Sequence, residues 1–348
     1  GELELSGRVN LVSLDVWDRL QEKLFFLPLL QIEIAPSQPL QQEIHLTAVR
    51  AYNLEVQLKR DSQGEWNHAR MASAQAKQSP PEEDLDQSAS LKLLVDTIEI
   101  HDGALVFEDN LPVGGFKTVA REINVDIKDF ALDAKQGMPL AIALQTDRNE
   151  MVMVKGHLLL EPFTLELQTE LQNIPLGAYE PYYREIYNKP FGGTLKLGAS
   201  LLINPEQPFL ISNGNLALHN LYGAFNDDEG IGIGQFDIEG LLFNLAENRL
   251  AIDAVNIKDT QAGFSRDSGG EWSFMSRNFP ILTKLTEATE ENSEPQAAPE
   301  GPAFSYRIGN LAINNLNIDI HDNQPAIPAR IEINNLALNI SNLVAPEK

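Results

Sequence analysis

Apolar and polar residues alternate along most of this chain. Tyr52, Leu54, Val56 and Leu58 alternate with Asn53, Glu55, Gln57 and Lys59. Ile123, Val125 and Ile127 alternate with Glu122, Asn124 and Asp126, and the same period runs through residues 163–167, 195–203, 316–320 and 331–340. A period of two gives a strand one apolar side and one wet side. Buried parallel strands read as unbroken apolar runs, so the pattern predicts a mainly β, mostly antiparallel fold. Gly, Asn, Asp and Pro punctuate the runs and read as turns. Helical spacing is confined to three short places. Trp17, Leu20, Leu24 and Phe25 share a face over residues 14–26, with Ser13 or Asp15 as N-cap. Tyr179, Tyr182, Tyr183, Ile186 and Tyr187 mark a second helix over 178–187, either a plug over a sheet end or a ligand-binding face. A third covers 279–289.

The pattern also repeats. Arg60-Asp61-Ser62-Gln63-Gly64-Glu65-Trp66 recurs 206 residues later as Arg266-Asp267-Ser268-Gly269-Gly270-Glu271-Trp272. At the same offset Ile44, Leu46, Ala48 and Val49 match Leu250, Ile252, Ala254 and Val255. Val125, Ile127, Phe130, Ala131 and Leu132 match Ile331, Ile333, Leu336, Ala337 and Leu338. One residue further along, Gly7, Val9, Leu11 and Leu14 match Gly214, Leu216, Leu218 and Leu221. This divides the chain into a first repeat unit, residues 1–132, and a second, residues 133–345. Within the second, 133–206 is an opening part and 207–338 copies 1–132. The first unit therefore reads as N-terminally truncated. Each landmark is followed by a Pro/Glu/Ser/Ala-rich insert, residues 72–90 and 287–302. Both are too poor in bulky apolar residues to order themselves and read as mobile acidic loops.

Composition narrows the partners. Lys and Arg total 26 against 50 Asp and Glu among 348 residues, a formal charge of −24. Phosphate contacts need basic clusters, so nucleic acid is excluded and direct adhesion to an anionic membrane is disfavoured. The absence of cysteine removes disulfides, thiolate metal sites and a cysteine nucleophile. The longest strongly apolar run, residues 24–30, is broken by Pro28 and falls far short of the roughly 20 residues that span a bilayer. No signal peptide opens the chain.

Chemistry is sparse. His45, His68, His101, His157, His219 and His321 show no metal-ligand spacing. His101-Asp102 and His321-Asp322 are adjacent pairs near strand ends, and strand neighbours point to opposite faces. Gly230 to Gly234 lacks the Lys-Ser/Thr of a phosphate loop and reads as a flexible strand edge or bulge. Asp227-Asp228-Glu229 lacks the spacing of a calcium loop. The asparagines of residues 310–342 read as wet strand sides and turns, with an Asn ladder of a parallel β-helix as the alternative. The expectation is a non-enzyme without cofactor or metal.

The order of apolar strand, Arg-Asp-x-x-Gly-Glu-Trp, acidic insert, Ile-x-Ile-x-Asp-Gly strand and Ile-x-Ile-x-x-Phe-x-Leu resembles the DUF748 branch of the AsmA-like superfamily of Gram-negative envelopes. The residues that carry it are 60–66, 98–105 and 127–132, with 266–272, 311–315 and 336–338 in the second copy, which lacks the Asp-Gly step. Residues 173–176, 181–183 and 192–195 add to it. The resemblance covers most of the chain. It implies a long, curved sheet, a taco-like β-groove with an apolar concave face. It implies a periplasmic protein held in the inner membrane by an N-terminal helix absent from this chain. Its partners would be phospholipid acyl chains, neighbouring repeats of the same longer chain, and envelope proteins at either membrane.

A sheet with one apolar face must cover that face. Either it closes into a sealed sandwich, or it leaves a trough that lipid tails fill. The candidate lining is Ile98, Ile100, Leu105, Phe107, Val125, Ile127, Leu311, Ile313, Ile318, Ile320, Ile331 and Ile333. The expected function is lipid binding and transport between the two membranes, with a non-catalytic envelope scaffold or spacer as the alternative.

Overall fold

The computed structural model describes residues 4–72, 92–226, 228–274 and 304–344. The fold is mainly β. In chain order the strands are β1 (Leu5–Trp17), β2 (Lys23–Ser37), β3 (Glu43–Tyr52), β4 (Glu55–Arg60) and β5 (Lys92–Asp109). There follow β6 (Phe116–Ala131), β7 (Met138–Thr146), β8 (Met151–Leu159), β9 (Thr164–Pro175) and β10 (Phe191–Ile203). The last are β11 (Leu210–Ala224), β12 (Gly230–Asn244), β13 (Arg249–Arg266), β14 (Ser305–Asp322) and β15 (Ala329–Val344). Within each unit the strands pair in chain order as a mixed sheet, except that β4 leaves the path to pair with β2 and β5. Helix is limited to short pieces, among them α1 (Ala69–Ala72) and α2 (Glu180–Tyr183). Two compact units are present, Gly1–Glu170 with Leu201–Pro205, and Leu171–Ser200 with Glu206–Lys348.

In the first unit neighbouring strands are antiparallel, apart from β3–β5 and β4–β5, which are parallel. In the second, β11, β12 and β13 are antiparallel, β13–β14 is parallel and β14–β15 antiparallel. Parallel neighbours need a long crossover. Each parallel step sits where the landmark turn and the acidic insert supply one. The second unit keeps β13 as one 18-residue strand. The first unit divides the same stretch into β3 and β4 at Asn53 (φ 52°), which corresponds to Asp259 (φ 54°).

Many of the punctuating residues do form turns, but several lie inside strands. Asp102, Glu122 and Asp129 lie inside strands with φ of 53°, 51° and 53°, as do Asn315, Asn335 and Asn342 with 56°, 55° and 55°. Asn and Asp tolerate this left-handed conformation because their short side chains can bond locally. The register jumps at Asp102 and Glu122 and at Asn315 and Asn335, but not at Asp129 or Asn342. Ile100 faces Val125, Gly103 faces Ile123 and Leu105 faces Ala120. The second unit repeats this with Ile313–Leu338, Leu316–Leu336 and Ile318–Ile333. These are β-bulges, two residues against one, which bend a strand and increase its twist.

The irregularities line up across the strands. Ser13, Pro28, Asn53, Asp102 and Glu122 follow one another from β1 to β6, and Asn220, Gly234, Asp259, Asn315 and Asn335 do so from β11 to β15. Pro28 donates no hydrogen bond, and it sits where β2 changes partner from β3 to β4. Its counterpart Gly234 gives way to Asp259, whose Cβ lies 3.0 Å from where a glycine Cβ would stand.

The structure revises several sequence expectations. Residues 14–26 are the end of β1, a turn and the start of β2, not a helix. Asp18 makes that turn, its Oδ1 accepting from the backbone of Leu20 and Glu22 at 2.8 Å each. Gly230 to Gly234 belongs to β12, which is paired on both sides, and is not an edge. His101-Asp102 lies in the middle of β5 rather than near its end. After the insert the equivalence of the copies runs at 213 rather than 206, since Asp102, Glu122 and Asp129 correspond to Asn315, Asn335 and Asn342. Lys92 follows Trp66 by 26 residues and Ser305 follows Trp272 by 33, which accounts for the seven. Val125 and Ile127 thus correspond to Leu338 and Ile340, not to Ile331 and Ile333. The helix expected at 279–289 and the inserts 72–90 and 287–302 lie outside the described residues, except Ala72 at the end of α1.

Candidate functional site

Cross-strand neighbours share a face, so the registers define the two sides of each unit. In the first unit one row reads Val9, Ile32, Val49, Ile98, Ile127, Leu140 from β1 to β7. The next reads Leu11, Leu30, Ala51, Ile100, Val125, Ile142, Val154 and reaches β8. The opposite side reads Asn10, Gln31, Arg50, Glu99, Asp126, Ala141, Lys155. On that side Arg50 bonds Glu99 at 2.6 Å and lies 3.3 Å from Glu33, which also holds Arg8 at 2.7 Å. Burial opposes the charge on Glu99, yet its hydrogen bonds to Arg50 and His101 outweigh this and hold the carboxyl below its usual range.

The second unit repeats the arrangement. Apolar rows read Leu216, Ile238, Val255, Leu311, Ile340 and Leu218, Phe236, Ile257, Ile313, Leu338. A third reads Gly223, Ile231, Ala262, Ile318, Ile333. The other side carries His219, Gln235, Lys258 and Asn314. There Arg330 grips Asp319 with two bonds of 3.0 and 2.7 Å.

The bulges keep the face apolar. Without them Leu105 and Phe107 would point away from Ile98 and Ile100, because an odd step reverses direction in a strand. The extra residue at Asp102 restores the phase, and Glu122 does the same in β6. All twelve candidate lining residues therefore lie on the apolar side of their own unit. Ten are half-buried, while Ile331 and Ile333 on β15 are 51% and 36% exposed. Sequence reading missed Val9, Leu11, Leu30, Ile32 and Val49, and Leu216, Leu218, Phe236, Ile238 and Val255. Their alternation was as plain as that of the residues chosen.

Among the described residues this side is not sealed. Among the described residues only eleven apolar side chains are buried, three of them alanines. The inner face of a closed sandwich interdigitates with its partner sheet and is dry. Here most members of the apolar rows stay half-buried or exposed.

Three of the histidines make ion pairs or stacks. His45 lies 2.8 Å from Asp96, His321 lies 3.3 Å from Asp319, and His101 stacks on Tyr52 at 5.1 Å. Among the described residues no three His, Cys, Asp or Glu side chains converge as metal ligands. Nor is any helix there long and apolar enough to cross a membrane. Comparison of the chain with protein-family models, curated proteins and solved structures finds no match.

Proposed function

We propose that the apolar face of each unit holds the acyl chains of lipids, and that the chain is a non-catalytic lipid-binding and transport segment of the AsmA-like kind. The observation that carries this reading is the unbroken apolar row that stays half-exposed. The row from Val9 to Leu140 crosses six strands. At 4.7–4.9 Å per step it is about 24 Å long. One leaflet of a bilayer core about 30 Å thick gives an acyl chain about 15 Å, so a whole chain fits along a row. Contiguous exposed apolar surface of this extent marks an interaction site. The charged reverse side keeps the protein in water while lipid occupies the other. Cysteine-free composition and the resemblance above fit the periplasm.

The test is lipid capture. The chain is incubated with vesicles of phosphatidylethanolamine and phosphatidylglycerol, repurified without detergent, and weighed by native mass spectrometry. Phospholipid adducts are the expected result. A ligand-free chain would instead make it a scaffold or spacer.

A further inference from the structure

We infer that the second unit carries an end pocket for the methyl end of one unbranched hydrocarbon chain, walled by Tyr183, Tyr187, Phe191, Gly223, Phe225 and Ile231. This rests on the acyl-binding reading and names where on that surface a chain ends. The six residues line an open cavity of about 330 Å³. None is charged. Tyr183 donates its hydroxyl to the Phe191 carbonyl at 3.0 Å, and Tyr187 donates to the Ala224 carbonyl. The polar tips are thus held by backbone, and the rings are what the cavity meets. Phe191 stands edge-on to both tyrosines, with centroids 5.4 and 6.0 Å apart.

An apolar cavity of about 150 Å³ stays dry and takes benzene, so this one has room for roughly ten to twelve carbon atoms. The lining surface is almost wholly apolar, which favours the hydrocarbon end as the part that enters. Gly223 and Ile231 are also the first members of the apolar row that runs through Ala262 and Ile318 to Ile333. A chain lying on that row has its end at the pocket. The first unit differs at the same place. Phe225 opens a turn with its backbone N–H on the Glu229 carbonyl at 2.8 Å, as Asp18 does with Glu22 at 2.8 Å. Asp18 is a fully buried carboxylate held 3.0 Å from Arg70, which leaves that end polar.

A reporter is built in. Phe225 stacks on Phe264 at 5.6 Å and contacts Phe274 at 6.2 Å, and Trp272 adjoins Phe274 at 5.8 Å. Palmitate brominated near its methyl end or near its carboxylate is added to the full chain, and Trp272 emission is isolated by subtracting the Trp272→Phe spectrum. A parallel arm uses vesicles of phosphatidylethanolamine brominated at the same positions, so the arms tell free fatty acid from phospholipid. Methyl-end bromine should quench Trp272 severalfold more than carboxyl-end bromine. A Cβ at Gly223 would stand 3.2 Å from the Tyr187 hydroxyl and 3.6 Å from Phe191. Gly223→Val should therefore abolish the difference and weaken binding about tenfold, the equivalent of two methylenes left in water. Gly232→Val, with open space around its Cβ on the other face, should change neither. Equal quenching from both positions while lipid still binds overturns the pocket alone. No binding in either arm overturns the acyl-binding reading with it.

Discussion

The Arg60 guanidinium lies over the Trp66 ring, 5.5 Å from its centroid. Arg266 and Trp272 repeat the contact at 5.7 Å. Inside each turn an aspartate N–H bonds a glutamate carbonyl, Asp61 to Glu65 at 3.0 Å and Asp267 to Glu271 at 2.9 Å. The arginine carbonyl then accepts from Asn110 at 2.9 Å or Asn323 at 2.8 Å, just past the end of the parallel partner strand. The repeated seven residues thus lock the point where the chain leaves the sheet for its crossover.

The locks depend on glycine. Gly64 and Gly270 have φ of 86° and 90°. An added methyl at Gly64 meets nothing closer than 3.6 Å, so the cost of Gly64→Ala is backbone strain. It should lower stability by about 1–2 kcal/mol in urea unfolding. Ser62→Ala, at an exposed position of the same turn, should lie within about 0.5 kcal/mol of wild type.

The bulges give a second test. Asn335→Gly should be neutral or slightly stabilising, because its φ of 55° suits glycine. Asn335→Val should cost about 1–2 kcal/mol, although the residue is exposed. Equal stability of the two variants would remove the bulge from the account.

These bulges show where sequence reading runs out. Alternation placed Ile98, Ile100, Val125 and Ile127 on one side, because a period of two is a direct consequence of strand geometry. Asp102-Gly103 and the asparagines carry the same composition in a turn and in a bulge, so the 18-residue β5 read as shorter strands. The slip of seven was hidden for a related reason. Ile331-x-Ile333 and Leu338-x-Ile340 are alike as patterns, and only backbone conformation tells which answers Val125-x-Ile127. Trp17, Leu20 and Leu24 fell at helical spacing by chance, and Asp18 outweighs it by bonding the turn. The aromatic helix near Tyr183 was legible, but its pocket was not, because Gly223, Phe225 and Ile231 come from strands far along the chain.

Stability should fall in acid through the charged side. Burial raises the Glu99 carboxyl, but hydrogen bonds to Arg50 and His101 bring it below its usual 4.5. Glu229 is likewise held low by Ser273, Ser265 and Asn226 against burial. A carboxyl depressed in the fold contributes stability that is complete above its unfolded value and is lost as pH falls through its folded one. The urea midpoint should stay level from neutrality down to about pH 5 and then drop. Glu99→Gln should make that drop shallower. An unchanged slope would show that the pair carries no linkage.

The central claim is that the apolar side is a lipid surface and not a sealed core, and Ile318→Asp tests it most directly. In a sealed core the aspartate would be an unpaired buried carboxylate, costing several kcal/mol. On a half-exposed face it stays hydrated, and the loss is about that of one isoleucine's burial, roughly 1.5–3 kcal/mol at most. Melting temperature and bound phospholipid are measured on the same preparation. The account predicts a folded variant with clearly less bound lipid, since a charge now stands in the apolar row. A variant that unfolds outright, or one that folds and keeps all its lipid, would contradict it.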